Sequence, residues 1–318
     1  MPRRYGYIDP LLSNLAVDYS RKVREGLVGP LIFPRIPVAK PTGQYAIFDK
    51  ETAFKVPDTT MAGERSQANE FAASGKKENY STTPYGLKAF IDNADLEFMD
   101  GPFKLWERRK AELLVSKLEL AQEKRIADTT LNLSGRSTTL SGNGNAKTNK
   151  ISNGGGDPCE AINDAIKKLF FRPNLLVFNE AIYDALEYHP KLLTKLGEAN
   201  LIKKVDEANL AKLFRIDRVI ISKGRADFGK RNHEGSVDPH DIWGDAIILA
   251  YVDNQWDQPC AGKTLCLKYA EADSDGYVVR TWDEEDGGVL GGEYVQVAHE
   301  TDELVVCEDL IYTIKGAL

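Results

Sequence analysis

With 318 residues, 42% of them hydrophobic, the chain is long enough for one large core or two modest ones. A formal charge of -7 argues against a surface built to clamp nucleic acid, which needs a basic stripe. The four cysteines, Cys159, Cys260, Cys266 and Cys307, are too scattered for a disulfide framework and read as buried thiols of a protein made in a reducing cytoplasm. Arg3 and Arg4 are followed by no apolar run, so no secretory signal is expected. The longest clean apolar run, Ala246 to Val252, falls far short of the roughly 20 residues that span a bilayer. A soluble protein made inside a cell is the expectation.

Residues 1–42 carry Pro2, Pro10, Pro30, Pro34, Pro37 and Pro41, which exclude a long helix. They predict an extended arm with at most one short helix, around Leu11 to Val23. Such an arm is expected to be unable to bury itself, so that it either stays disordered or lies across something else. Two strand-like runs follow, Tyr45 to Val56 and Gly86 to Phe98, separated by a long polar stretch from Pro57 to Pro84. A structureless loop of that length is unusual inside a compact domain, so the stretch is read as a two-stranded arm projecting from the body. An ordinary mobile surface loop is the alternative.

Asp100 can cap a helix whose first turn holds Gly101 and Pro102. Trp106, Leu113, Leu114, Leu118, Ala121 and Ile126 fall near one face, and Arg108 with Glu112 and Lys124 with Asp128 make opposite-charge pairs one turn apart. About 27 residues of helix would measure roughly 40 Å, which suits a spine laid across a sheet. Heptads are not sustained enough to favour a coiled coil. From Thr129 to Gly156, 20 of 28 residues are Ser, Thr, Asn or Gly, which marks a loop-rich connection and a candidate domain boundary.

The pattern then turns to α/β. Asp157, Pro158 and Glu160 open a helix running to about Phe170, with Ala161, Ile162, Ala165, Ile166 and Leu169 inward. Leu175 to Phe178 is a short buried strand, and Asn179 caps a helix from Glu180 to Tyr188 that His189 and Pro190 close. Strands are expected at Val219 to Ser222, Ala246 to Val252, Gly276 to Trp282, Glu293 to His299, Glu303 to Val306 and Leu310 to Ile314. The fold class is α+β.

Signals of chemistry are weak. His233 and His240 lie near Glu234, Asp238 and Asp241, but their spacing matches no zinc pattern. Cys260 and Cys266 lack a second pair, and Asp273 and Asp275 lack the later ligands of a calcium loop. Gly142, Gly144 and Gly154 to Gly156 make no phosphate cradle, Ser134 and Ser141 sit on no nucleophile elbow, and Asp283 to Asp286 is a solvated acidic turn. No catalytic, cofactor-binding or metal-binding residue is assigned, and no cofactor is expected.

The order of these features resembles the major capsid proteins of tailed bacteriophages, with the Hong-Kong-97-type fold that encapsulins share. The resemblance rests on the Pro-rich arm, the hairpin with a polar tip, the spine helix and the Gly/Ser/Thr/Asn loop with Thr138-Thr-Leu140-Ser-Gly142. It continues through Asp157-Pro158, Pro173-Asn174-Leu-Leu-Val-Phe178, Asn179, Tyr188-His189-Pro190 and the ending Ile311-Tyr-Thr-Ile-Lys-Gly. It implies an N-terminal arm (1–42), an E-loop hairpin (43–90), and a peripheral domain with the spine helix (91–157, joined by strands from 276–306). The axial α/β domain would be 158–275, joined by 307–318. The implied function is self-assembly into pentamers and hexamers of an icosahedral head shell, in the virion, built in the bacterial host cytoplasm, by a protein that is not an enzyme. Implied partners are other copies, a scaffolding protein separate from this chain, a portal and a decoration protein, with double-stranded DNA enclosed but not read. Some relatives cross-link an E-loop lysine to a neighbour's asparagine. Lys50, Lys55, Lys76 and Lys77 lie in the stretch, but no partner is matched, so no cross-link is assigned. An encapsulin-type compartment and an oligomeric small-molecule enzyme or binding protein are the alternative readings.

Overall fold

A computed structural model describes residues 7–47, 56, 59, 76–93, 104–142, 148–152, 156–196, 205–228, 237–255, 258–268, 276–287 and 290–318. In chain order they form β1 (Tyr7–Ile8), α1 (Pro10–Arg24), α2 (Gly29–Ile32), β2 (Arg35–Val38), β3 (Thr42–Ile47), β4 (Lys76–Ser81) and β5 (Thr83–Asp92). The long helix α3 (Lys104–Leu131) leads to β6 (Ser137–Thr139), α4 (Pro158–Lys168), β7 (Leu175–Asn179), α5 (Glu180–Glu187), α6 (Pro190–Leu196) and α7 (Glu207–Phe214). Then come β8 (Arg218–Ser222), β9 (Arg225–Ala226), β10 (His240–Asp241), β11 (Ala246–Ala250), β12 (Gly262–Leu267), β13 (Val278–Glu284), β14 (Gly292–Val305) and β15 (Ile311–Lys315).

Two larger sheets organise these elements. The first is built around β14, whose one edge pairs with β13 along Gly292–Ala298 and with β12 along Thr301–Val305. The opposite edge of β14 pairs with β5, while β1 extends β13 and β2 lies parallel to β12. Alternation along β14 turns Val295, Val297 and His299 to one face, where they are buried. There Val295 and Val297 share one apolar cluster with Leu12, Ala16 and Val17 of α1 and Ala111, Leu114, Val115 and Leu118 of α3.

The second sheet has the order β6-β15-β11-β7-β8. Its central strands β7 and β11 are buried throughout, as continuous apolar runs covered on both faces must be. Leu176, Phe178, Ile247 and Leu249 pack against Ile162, Ile182, Leu192 and Leu210 of α4 to α7. Val177, Ile248 and Ala250 meet Ile32, Ile126 and Ala127 from the other side. The spine α3 therefore packs its first half on one sheet and its last turns on the other.

The mixed α+β class agrees with the sequence, as do several local signals. Asp157 Oδ1 accepts the amide hydrogens of Cys159 (3.0 Å) and Glu160 (3.3 Å), and Asn179 Oδ1 accepts that of Ile182 (2.8 Å). Arg108–Glu112 and Lys124–Asp128 pair at 2.9 and 2.6 Å, and all four cysteines are buried and free. The cap expected from Asp100, Gly101 and Pro102 lies outside the described residues.

Five expectations need correction. The N-terminal stretch is not a free arm. Residues 7–38 fold onto their own chain, because α1 packs Leu12, Ala16 and Val17 under the first sheet and β1 and β2 both find sheet edges. The hairpin pairs β3 with β4, a strand of Lys, Glu, Asn and Tyr that composition hides, while Gly86 onward belongs to the first sheet. On α3, Leu113 is exposed and Ala121 only half-buried, whereas Glu119, Gln122 and Glu123 are buried. The Ser/Thr/Asn/Gly tract is partly regular: α3 runs on to Leu131, and β6 pairs parallel with β15. Glu293 to Val306, expected as two strands, is one strand to Val305, and β12, which was not foreseen, puts residues 262–267 in the first sheet.

Candidate assembly surfaces

The β3–β4 hairpin pairs antiparallel from Thr42 with Ser81 to Ile47 with Lys76, so the end of β3 and the start of β4 lie side by side. Of β4 only Tyr80 is buried. Tyr80 and Tyr45 pack with Val38, Leu265 and Val306 at the end of the first sheet. Gly43 makes this possible, since a Cβ there would lie 2.7 Å from the Tyr80 ring. The Tyr45 hydroxyl donates to Glu78 (2.9 Å), and burial followed by that carboxylate pushes the phenol above its usual range. At the root, the Thr82 amide donates to the Pro41 carbonyl (2.8 Å) and the Ser81 amide to Asp302 Oδ2 (2.9 Å). Tyrosine packing and these bonds fix the base, while the outer faces of both strands meet solvent. Lys76 and Lys77 sit on this exposed strand; Lys50 and Lys55 lie outside the described residues.

The N-terminal segment is docked by a different device. Glu123 Oε1 accepts the Val28 amide hydrogen (3.0 Å) and the Trp243 indole hydrogen (2.5 Å), and Oε2 accepts the Gly29 amide hydrogen (2.6 Å). One carboxylate thus joins the N-terminal segment, the spine and the loop entering β11. Burial pushes its pKa up, while Trp243 and the two amides pull it down. One turn earlier, Arg35 Nη2 donates to both oxygens of Glu119 (2.9 and 2.8 Å) and to Gln122. Tyr277 donates to Glu119 at 2.9 Å, and Arg24 lies 3.7 Å from it. Burial alone would lower the Arg35 pKa, but Glu119 and then Tyr277 hold it above its ordinary value. Sequence reasoning missed this site. A pattern of Glu, Gln and Glu on a helix otherwise reads as a solvated face, and nothing local shows that its hydrogen-bond partners lie 84 to 158 residues away.

The residues weighed for chemistry do not converge. Among the described residues no three of His, Cys, Asp and Glu approach as metal ligands would. His240 is exposed and lies 3.4 Å from Asp238, Asp241 is taken by Arg225 at 2.8 Å, and His233 and Glu234 lie outside the described residues. His189 and His299 are buried. Burial lowers the His299 pKa well below its usual value, helped by Arg35, Arg125 and Arg24, and its ring lies tilted with its centre 4.7 Å from that of Tyr277. Asp283 faces Glu293 across the β13–β14 ladder. Burial, then Glu107 and Asp283, push Glu293 up to about 7.

No protein-family model matches the chain. It is 26% identical over 319 residues, covering 98% of this chain and 97% of the relative, to the major capsid protein of Pseudomonas phage JBD67. It is 28% identical over 264 residues, 78% of this chain and 77% of the relative, to the major capsid protein of Burkholderia phage BcepMu. Among solved structures, a phage-related protein from Bordetella bronchiseptica RB50 superposes with a TM-score of 0.71 at 21% identity, over 99% of this chain and 98% of that one. The capsid of cyanophage P-SCSP1u gives 0.55 at 10% identity (89% and 86% covered). An encapsulin from Synechococcus elongatus PCC 7942 gives 0.53 at 10% (90% and 85%). Fold alone does not separate shell from compartment, but both sequence relatives are phage proteins. The chain is thus similar along its length to phage major capsid proteins, and its fold is that of phage capsids.

Proposed function

We propose that the chain is the major capsid protein of a tailed phage, a structural subunit whose copies close into pentamers and hexamers and then into an icosahedral head shell. The observation that carries this is the match along 98% of the chain to a phage major capsid protein. The hairpin supports it physically: a two-stranded projection is marginal in water and gains its stability from a neighbour. Head-to-tail contacts that close under rotation generate rings, and reaching segments tie rings together. Contacts of this obligate kind bury upwards of roughly 2,000 Å² in total.

The proposal extends to parts and partners. The first sheet with the spine forms the peripheral domain, the second sheet with α4 to α7 the axial domain around the symmetry axes, and residues 43–82 the reaching hairpin. The chain works without catalysis, with a scaffolding protein, a portal and a decoration protein as partners, in a shell assembled in the host cytoplasm that encloses double-stranded DNA without reading it. An encapsulin-type compartment is the weaker reading, because the named sequence relatives are phage capsid proteins.

Negative-stain imaging of the purified chain, alone and with its scaffolding partner, tests the reading. Closed shells are expected. Discrete small oligomers stabilised saturably by a small molecule would overturn it in favour of an enzyme or binding protein.

A further inference from the structure

The side of α3 turned away from the first sheet has a seam of its own. Trp106, Lys110, Leu113, Lys117, Leu120 and Lys124 follow one another at alternating spacings of four and three residues. With about 3.6 residues per turn, all six fall within roughly 40° of one line along the helix, over roughly 27 Å. Lysine thus alternates with a large apolar residue, on the side opposite Ala111, Val115 and Leu118, which are buried in the core. Lys117 is exposed, Lys110 and Lys124 are half-buried, and Leu113 is 52% exposed. At the far end the Phe228 ring, 50% exposed, has its centre 6.0 Å from Lys124 Nζ and prolongs the seam. Lys124 pairs with Asp128, but among the described residues neither Lys110 nor Lys117 pairs with a carboxylate. On a chain of net charge -7, the seam is a local run of positive charge interleaved with uncovered apolar surface.

Alternation of three and four is the spacing at which one helix receives another. Apolar side chains of an incoming helix would cover Leu113 and Phe228, and its flanking carboxylates would meet Lys110 and Lys117. A second spine does not fit, because it sets one lysine row against another. The next longest described helix, α1, has 15 residues and is already packed on the first sheet. A phosphate backbone would engage the ammonium groups and leave Leu113 and Phe228 bare. We propose that this seam of the spine is the docking strip for an acidic amphipathic helix of a separate protein. In the shell reading that protein is the scaffolding partner; only its name rests on that reading, and the strip is tested without any shell.

The probe is a labelled synthetic peptide of three heptads, with Leu at the a and d positions and Glu at e and g, whose own glutamates oppose self-pairing. Fluorescence anisotropy with the full-length chain at low salt is expected to show saturable binding. Lys110→Glu with Lys117→Glu should weaken it by about tenfold or more, and Leu113→Ser by about threefold or more. Both changes lie on the helix surface, so the thermal transition should stay in place. The same peptide with Lys in place of Glu should bind the double variant and not the wild type. Failure of the wild type to bind the acidic peptide would overturn the strip, as would equal binding by the double variant or by a scrambled peptide. A short DNA duplex that binds the wild type, is lost in the double variant and is indifferent to Leu113→Ser would give the seam to nucleic acid instead.

Discussion

Residues 7–38 and the β3–β4 strands (42–47 and 76–81) lie close in the chain, yet the first stretch is tied to the body along its length and the second only where Tyr45 and Tyr80 pack. Both are rich in proline, charge or polar residues, and composition predicts the same fate for each. The N-terminal stretch escapes that fate in two ways. Leu12, Ala16 and Val17 cover the apolar face of the first sheet, and the backbone at Val28 and Gly29 is bound by Glu123. Among its described residues the hairpin buries only Tyr45 and Tyr80, with Ile47 partly packed against them. The difference lies in partners supplied from elsewhere in the chain, not in local propensity, and it marks the hairpin as the part that the proposed assembly would stabilise from other copies.

The largest effect is expected from removing the reach of the hairpin. Replacing residues 49–74 by a short Gly/Ser link, which Ile47 and Lys76 are paired to accept, should abolish closed shells in negative stain while the thermal transition of the body stays within a few degrees. Normal shells from that variant would end the reaching role. Next is Glu123→Ala, which leaves two amides and an indole without an acceptor. A loss of about 3–5 kcal/mol in denaturant unfolding is expected. Gly29→Ala strikes the same junction more gently. Its Cβ would meet Glu123 Oε2 at 2.5 Å, and overpacking of this kind costs about 1–3 kcal/mol.

A smaller, pH-dependent effect belongs to Glu293. Its pKa is raised by folding to about 7, so its contribution to stability is fully present below the ordinary glutamate range and is lost as pH rises through about 7. Glu293→Gln should therefore raise the midpoint of thermal unfolding at pH 8 and change it little at pH 4.5; an equal shift at both values would refute the repulsion from Glu107 and Asp283. The smallest effect is reserved for the exposed pair Lys124–Asp128, where Asp128→Ala should cost no more than about 0.5 kcal/mol.

How much was legible in the chain follows from whether a signal is local. Asp157 and Asn179 act within their own turn, so their caps were readable, and the all-apolar runs of β7 and β11 announced buried central strands. β4 was hidden because Lys76, Lys77, Glu78 and Asn79 avoid burial, and its strand form comes from pairing with β3 rather than from packing. Glu119 and Glu123 escaped notice for the opposite reason, since their partners Arg35, Val28 and Gly29 are brought to them by the fold of the N-terminal segment.

The contrast between the two stretches can be measured directly by amide hydrogen exchange on the free chain and on assembled shells. Amides of residues 12–17 and 28–33 should be equally protected in both states, while those of residues 42–47 and 76–81 should slow by about tenfold or more on assembly. Protection of residues 28–33 that appears only in shells, or hairpin amides that exchange alike in both states, would contradict the account.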